Sequence, residues 1–125
     1  GTLRGFHYQQ GSHAEAKTIS CMTGSIYDVV IDLRRSSPTF MQWRSAEISA
    51  DDRRSIYVPA GCANAWITTS PETVLHYYMS EIFTPDSACG IRYNDPTFEV
   101  GWPMVPEVIS ERDRTFPDFD LDLLE

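Results

Sequence analysis

The sequence predicts an all-β fold, a sandwich or barrel of short strands, on three observations. Short runs rich in β-branched and aromatic residues recur along the chain. Turn-forming residues punctuate them every few positions, and no longer stretch repeats its apolar residues at helical spacing. Many short strands at such intervals are the pattern of sandwiches and barrels.

Taken in order, the chain opens inside a strand, and further strands are predicted over residues 18–23, 25–33, 40–48, 55–58, 65–69, 73–83 and 89–93. The breakers between them are Gly24, Ser36-Ser37-Pro38, Ala50-Asp51-Asp52, Pro59-Ala60-Gly61, Ser70-Pro71 and Thr84-Pro85-Asp86. Each supplies a turn conformation or removes a ladder donor. A short helical turn is expected over residues 110–114. Within 25–33, alternation sends Tyr27, Val29, Ile31 and Leu33 to one face and Asp28, Val30 and Asp32 to the other. If the second face lines a pocket, at least one carboxylate there is a buried charge that needs a partner.

At 125 residues the chain fits one domain spanning residues 1–125, large enough for an ordinary hydrophobic core. A net charge of −8 argues against a nucleic-acid partner, though not against a small phosphate ligand held by two or three cations. The longest uncharged stretch, residues 55–71, contains Pro59, Gly61 and Asn64, so no membrane span is expected. Cys21, Cys62 and Cys89 are odd in number and dispersed, which points to buried thiols in a reducing, cytoplasmic compartment. The acid excess falls late, in Asp113, Asp118, Asp120, Asp122 and Glu125, and reads as a solvated end. The chain starts at Gly1 without a Met or a targeting pattern, and a preceding segment is expected to be missing.

Three histidines, His7, His13 and His76, lack HxH or HxxxH spacing, and no cysteine sits near them as a ligand would, so no metal site is expected. The remaining acid–base types are His7, Lys17, Tyr77 or Tyr78, and several carboxylates. Spacing alone stops at an all-β domain with a candidate sugar or acid–base site.

Longer motifs carry further. Gly1-Thr2-Leu3-Arg4-Gly5-Phe6-His7-Tyr8-Gln9, then Ala16-Lys17, resemble G-x-L-R-G-x-H-Y-Q and Q-A-K of the dTDP-4-dehydrorhamnose 3,5-epimerase family. The run from Gly24 to Arg34 with Ser37-Pro38-Thr39 is similar to G-x-x-x-D-V-x-x-D-L-R…S-P-T. Tyr57-Val58-Pro59-Ala60-Gly61-Cys62-Ala63 resembles Y-V-P-x-G-F-A. Gly90-Ile91-Arg92-Tyr93-Asn94-Asp95-Pro96 resembles G-I-R-x-x-D-P, and Ile109-Ser110-Glu111-Arg112-Asp113 resembles L-S-x-x-D. The similarity is ordered and runs to about Pro117.

The resemblance implies a cupin-type jelly-roll barrel that dimerises through its sheets, without cofactor or metal, acting on a nucleotide-diphosphate sugar with a C4 ketone. It implies His7 as the base, Asp113 as the carboxylate orienting it, Lys17 as stabiliser of charge on the C4 oxygen, and Tyr77 as the opposing acid, counted back from Phe83-Thr84-Pro85, which is similar to Y-x-P. Tyr78 and His76 are adjacent competitors for that last role. Arg4, Gln9, Asp28, Asn64 and Phe83 would bind substrate, Arg4 through the diphosphate or the sugar near it. The family's G-F-A-H-G-F reads here Gly61-Cys62-Ala63-Asn64-Ala65-Trp66, so Asn64 replaces a histidine and is expected to donate a neutral hydrogen bond to the keto oxygen. Other readings are a single-centre epimerase or isomerase, and a lapsed cupin that only binds a sugar nucleotide or serves as a dimeric structural unit.

Overall fold

A computed structural model describes residues 1–124 of the chain. The strands are β1 (Thr2–Gln9), β2 (Lys17–Thr23), β3 (Ser25–Asp32), β4 (Trp43–Ser49), β5 (Ser55–Val58), β6 (Cys62–Thr68), β7 (Val74–Met79), β8 (Ala88–Gly90) and β9 (Val108–Ile109), with one short helix, α1 (Glu111–Arg114). One sheet runs β4-β3-β6-β1-β8, with β9 added parallel to β1; the other runs β5-β2-β7. The architecture is all-β, as expected, and no helix among the described residues is long and apolar enough to cross a membrane.

Boundaries differ from expectation where turns or long-range pairing override propensity. The strand expected from residue 40 begins at Trp43, because Phe40 N–H bonds Ser37 O, Gln42 N–H bonds Thr39 O, and Met41 sits at φ 70°. The strand expected from residue 65 begins at Cys62, recruited by register against Asp32. Residues 80–83 leave the ladder, and β9 is too short for any periodicity to announce it. Ser110 caps α1, its Oγ accepting from Asp113 N at 3.1 Å.

Two apolar clusters follow from alternation. Between the sheets lie Ile19, Cys21, Ile26, Ile48, Val58 and Cys62. On the outer face of the larger sheet, Phe6, Val29, Ile31, Leu33, Ala63 and Ala65 are covered by Ile91, Phe98 and Leu124 of the C-terminal segment. β3 and β6 are therefore buried on both faces, which is why their sequences read as near-continuous apolar runs. The inward face of β3 carries Asp28 and Asp32, both buried.

The late acids are not uniformly solvated. Asp113 is buried, and Asp118 accepts from Arg92 Nη2 at 2.7 Å; Glu125 lies outside the described residues. Arg92 Nη1 also donates to Phe116 O, while Asp95 accepts from the N–H groups of Thr97 and Phe119. These bonds give G-I-R-x-x-D-P a mechanical role in fastening the C-terminal cover.

One irregularity positions the site. Arg4 is opposite Trp66 and His7 opposite Asn64, so three steps along β1 match two along β6. Residues three apart on a regular strand face opposite ways; the extra residue of the bulge returns Arg4 and His7 to the same inward face. Gly5 makes this possible. Its φ is +117°, and a Cβ there would lie 2.5 Å from Asn64 O.

Candidate active site

The barrel interior collects acid–base groups from both sheets. From the larger sheet, β1 supplies Arg4 and His7, β3 supplies Asp28, and β6 supplies Asn64 and Trp66. From the smaller sheet, β2 supplies Lys17 and β7 supplies Tyr77. Tyr77 lies opposite Ile19 and shares its inward face, whereas His76 and Tyr78 pair with Ser20 and Thr18 on the outer face. There the rings of His76 and Tyr78 stack edge-on at 4.7 Å, and Tyr78 is 70% exposed. Register separates residues that sequence adjacency left in competition.

His7 Nε2 lies 2.7 Å from Asp113 Oδ1, and Asp113 Oδ2 accepts from Gly5 N at 3.1 Å. A carboxylate can only accept, so an uncharged imidazole facing it carries its proton on Nε2 and keeps a free lone pair on Nδ1. Phe116 packs edge-on against the imidazole at 6.2 Å. Gly90 leaves room for it, since a Cβ at that position would fall 2.0 Å from the Phe116 ring. Arg4, His7, Arg112 and Asp113 border a groove of about 410 Å³ beside β9. Two arginines on one groove suit an anionic ligand.

Electrostatics tie the interior groups together. Burial lowers the pKa of Lys17, opposed by the negative charges of Glu15 and Asp28. Burial raises Asp28 to about 7, opposed by the hydrogen bond from Asn64 and the charge of Lys17. Burial lifts Tyr77 to about 12, opposed by a hydrogen bond from Trp66 Nε1 to Tyr77 Oη at 2.5 Å and by Arg4, while Asp28 pushes it further up. Asp28 also walls a cavity of about 370 Å³ that opens between β4 and β5.

Other predicted binding residues have positions of their own. Asn64 Nδ2 donates to Asp28 Oδ1 at 2.8 Å and to Val29 O at 3.2 Å, which spends both amide protons on the protein. Gln9 is 4% exposed; its Nε2 donates to His13 O and Ile82 O, and its Oε1 accepts from Thr84 N. It clamps the loop that carries Phe83, which is itself exposed. Asp32 accepts from Arg34 Nε at 2.9 Å, from Ser37 Oγ at 2.5 Å and from Thr39 Oγ1 at 2.6 Å, which holds its carboxyl well below the usual range. D-L-R…S-P-T is thus a turn knot. Among the described residues no three His, Cys, Asp or Glu side chains cluster as metal ligands would.

The family model for dTDP-4-dehydrorhamnose 3,5-epimerase matches residues 1–120. The chain belongs to the dTDP-4-dehydrorhamnose 3,5-epimerase family. It is 36% identical over 118 residues to the dTDP-4-dehydrorhamnose 3,5-epimerase of Sinorhizobium fredii, covering 94% of this chain and 60% of that protein. The crystal structure of the Bacillus anthracis enzyme, with TDP and pyrophosphate bound, superposes with a TM-score of 0.91 at 40% identity, over 95% of this chain and 68% of that one. The Legionella pneumophila enzyme in complex with dTDP-4-keto-L-rhamnose gives 0.89 at 32% identity, over 100% of this chain and 65% of that one. These likenesses establish the cupin-type jelly roll. The chain spans about 60% of the length of the Sinorhizobium relative and 61% of a Mycobacterium tuberculosis one.

Against the epimerase-family pattern, two interior residues escaped the sequence reading. Trp66 stands two positions after Asn64, and Glu15 two before Lys17. Alternation along β6 puts Trp66 on the inward face of Asn64, whereas Glu15 precedes β2, is buried, and acts on Lys17 through its charge.

Proposed function

We propose that this protein inverts C3, C5 or both of a dTDP-linked 4-keto-6-deoxyhexose by removing an α-proton and returning one through an enolate, in deoxysugar biosynthesis. One observation carries the reading. His7, oriented by Asp113 of α1, stands on the larger sheet and Tyr77 on the smaller, an arrangement that supports a base and an acid approaching opposite faces of a ring held between the sheets. Inversion requires that opposition.

In this mechanism His7 Nδ1 takes the proton from the carbon next to the ketone. The C–H electrons become the enolate double bond, and charge grows on the C4 oxygen. Lys17, buried on the opposing sheet, stabilises that charge. Tyr77 then gives its proton to the other face of the carbon. Arg4 engages the diphosphate with Arg112 beside it. Asn64 acts through Asp28 rather than on the ketone, because its N–H groups are already donated. Phe83 offers an exposed ring to the substrate and Gln9 holds its loop. The reading extends to a cytoplasmic homodimer of single-domain chains that needs no cofactor.

Solvent deuterium exchange followed by NMR on a panel of dTDP-4-keto-6-deoxy sugars tests the proposal. Deuterium at C3, C5 or both, with inverted product, is expected. Ligand binding without exchange would make the protein a lapsed sugar-nucleotide binder.

A further inference from the structure

We infer that Trp66 is a positioning residue for proton return: its indole N–H fixes Tyr77 Oη as an acceptor, aims the phenolic proton at the sugar, and then holds the phenolate. The inference rests on the reading of Tyr77 as the acid.

The argument begins with donor chemistry. An indole nitrogen can only donate, so the 2.5 Å contact has one polarity, Trp66 Nε1–H to Tyr77 Oη. A phenol has a single proton, and that proton must point away from the donor facing it. Among the described residues no other group hydrogen-bonds to Tyr77 Oη. The proton is therefore not spent on the protein.

Position supports the same role. Trp66 is flanked in register by Arg4 on β1 and Asp28 on β3, on the inward face that Tyr77 meets from the opposing sheet. Tyr77 is 37% exposed as a residue, so the protein does not enclose it fully.

The step balances. As the enolate carbon takes the proton, the Tyr77 O–H bond breaks and its electron pair stays on Oη. The Trp66 N–H, already in place, becomes a bond to an anion and strengthens. Arg4 favours the same charge. Solvent later returns a proton to Tyr77.

The test compares Trp66→Phe and Tyr77→Phe in the full protein with a dTDP-4-keto-6-deoxy sugar in deuterium oxide. Two rates are read: inversion, and deuterium entry with retention on the His7 face. Trp66→Phe should lower kcat for inversion by roughly 10–100-fold, the worth of one hydrogen bond to a charged group, with KM and His7-face exchange little changed. Tyr77→Phe should abolish inversion and leave His7-face exchange. The indole N–H resonance missing from Trp66→Phe should shift upfield in Tyr77→Phe. Wild-type inversion in Trp66→Phe beside loss of inversion in Tyr77→Phe overturns the role of Trp66 and leaves Tyr77 as the acid. Wild-type inversion in Tyr77→Phe overturns the acid assignment itself, and the role of Trp66 with it. If Trp66→Phe does not fold, an indole resonance unmoved by Tyr77→Phe is enough to reject the contact.

Discussion

Replacing Asp113 by Asn should injure catalysis more than replacing it by Ala, although Asn is the closer mimic. Gly5 N–H can only donate, and it now bonds Asp113 Oδ2 at 3.1 Å. In the Asn variant the side-chain oxygen must turn to Gly5, because the amide NH₂ cannot accept. The NH₂ then faces His7 Nε2, which sits 2.7 Å from the carboxylate in the native protein. That nitrogen must become the acceptor, so the imidazole proton moves to Nδ1, the position that should take the α-proton. The neutral base is lost, not merely weakened. A tautomer error of this kind costs a serine protease triad about 10⁴-fold, and a general base is worth about 10²–10⁴-fold, so Asp113→Asn should fall within that range. Asp113→Ala leaves the tautomer free and removes only orientation and charge, a loss of roughly 10–100-fold. It should cost more stability, however, since Gly5 N–H is left buried without a partner. His7-face deuterium exchange and thermal unfolding on both variants give the two orders. The reasoning fails if Asp113→Asn exchanges within tenfold of wild type, or if the Ala variant is the slower of the two.

Other consequences follow from the same interior. Lys17→Met should slow exchange by about 10²–10³-fold, as removal of one oxyanion donor does; exchange within tenfold of wild type would remove Lys17 from the mechanism. Asn64→Ala should destabilise the protein by about 1–3 kcal/mol in chemical denaturation, since Asp28 Oδ1 and Val29 O lose their donor, and a stability unchanged from wild type would refute that pairing. Asp28, lifted from an ordinary 3.8 to about 7, binds its proton more tightly folded than unfolded. Its contribution to stability is therefore complete below about pH 4 and is lost as pH rises through 7. The unfolding free energy of Asp28→Asn relative to wild type should climb between about pH 4 and 7, by an amount on the order of 4 kcal/mol at most; a flat difference would show that Asp28 does not titrate in that window.

Alternation was the part of the fold most legible in the sequence. It gave β3 its two faces, and those faces become the two apolar clusters, one between the sheets and one beneath the C-terminal segment. Strand ends were less legible, because long-range pairing decides them. Cys62 enters β6 on account of Asp32 some thirty residues earlier, and the stretch before Trp43 is taken from β4 by its own turn bonds. The tail was the clearest misreading. A count of acids treats Asp113 and Asp118 alike, yet one is buried against His7 and the other neutralises Arg92 at the surface.

The site divides along the same line. Motif matches brought Arg4, His7, Lys17, Tyr77 and Asp113 forward together, but matching cannot tell a residue that faces the cavity from one that braces it. Hydrogen-bond accounting can. Gln9 and Asn64 each spend every side-chain proton that the geometry offers on backbone or carboxylate, so neither has a donor left for a sugar. Tyr77 accepts one bond and donates none to the described protein. A group with an uncommitted proton, aimed inward and reachable from solvent, is the one that can lose it to carbon. By that criterion the proposed chemistry narrows to His7 Nδ1 on the larger sheet and the Tyr77 hydroxyl on the smaller, with Lys17 on the strand next to Tyr77 as the proposed holder of charge.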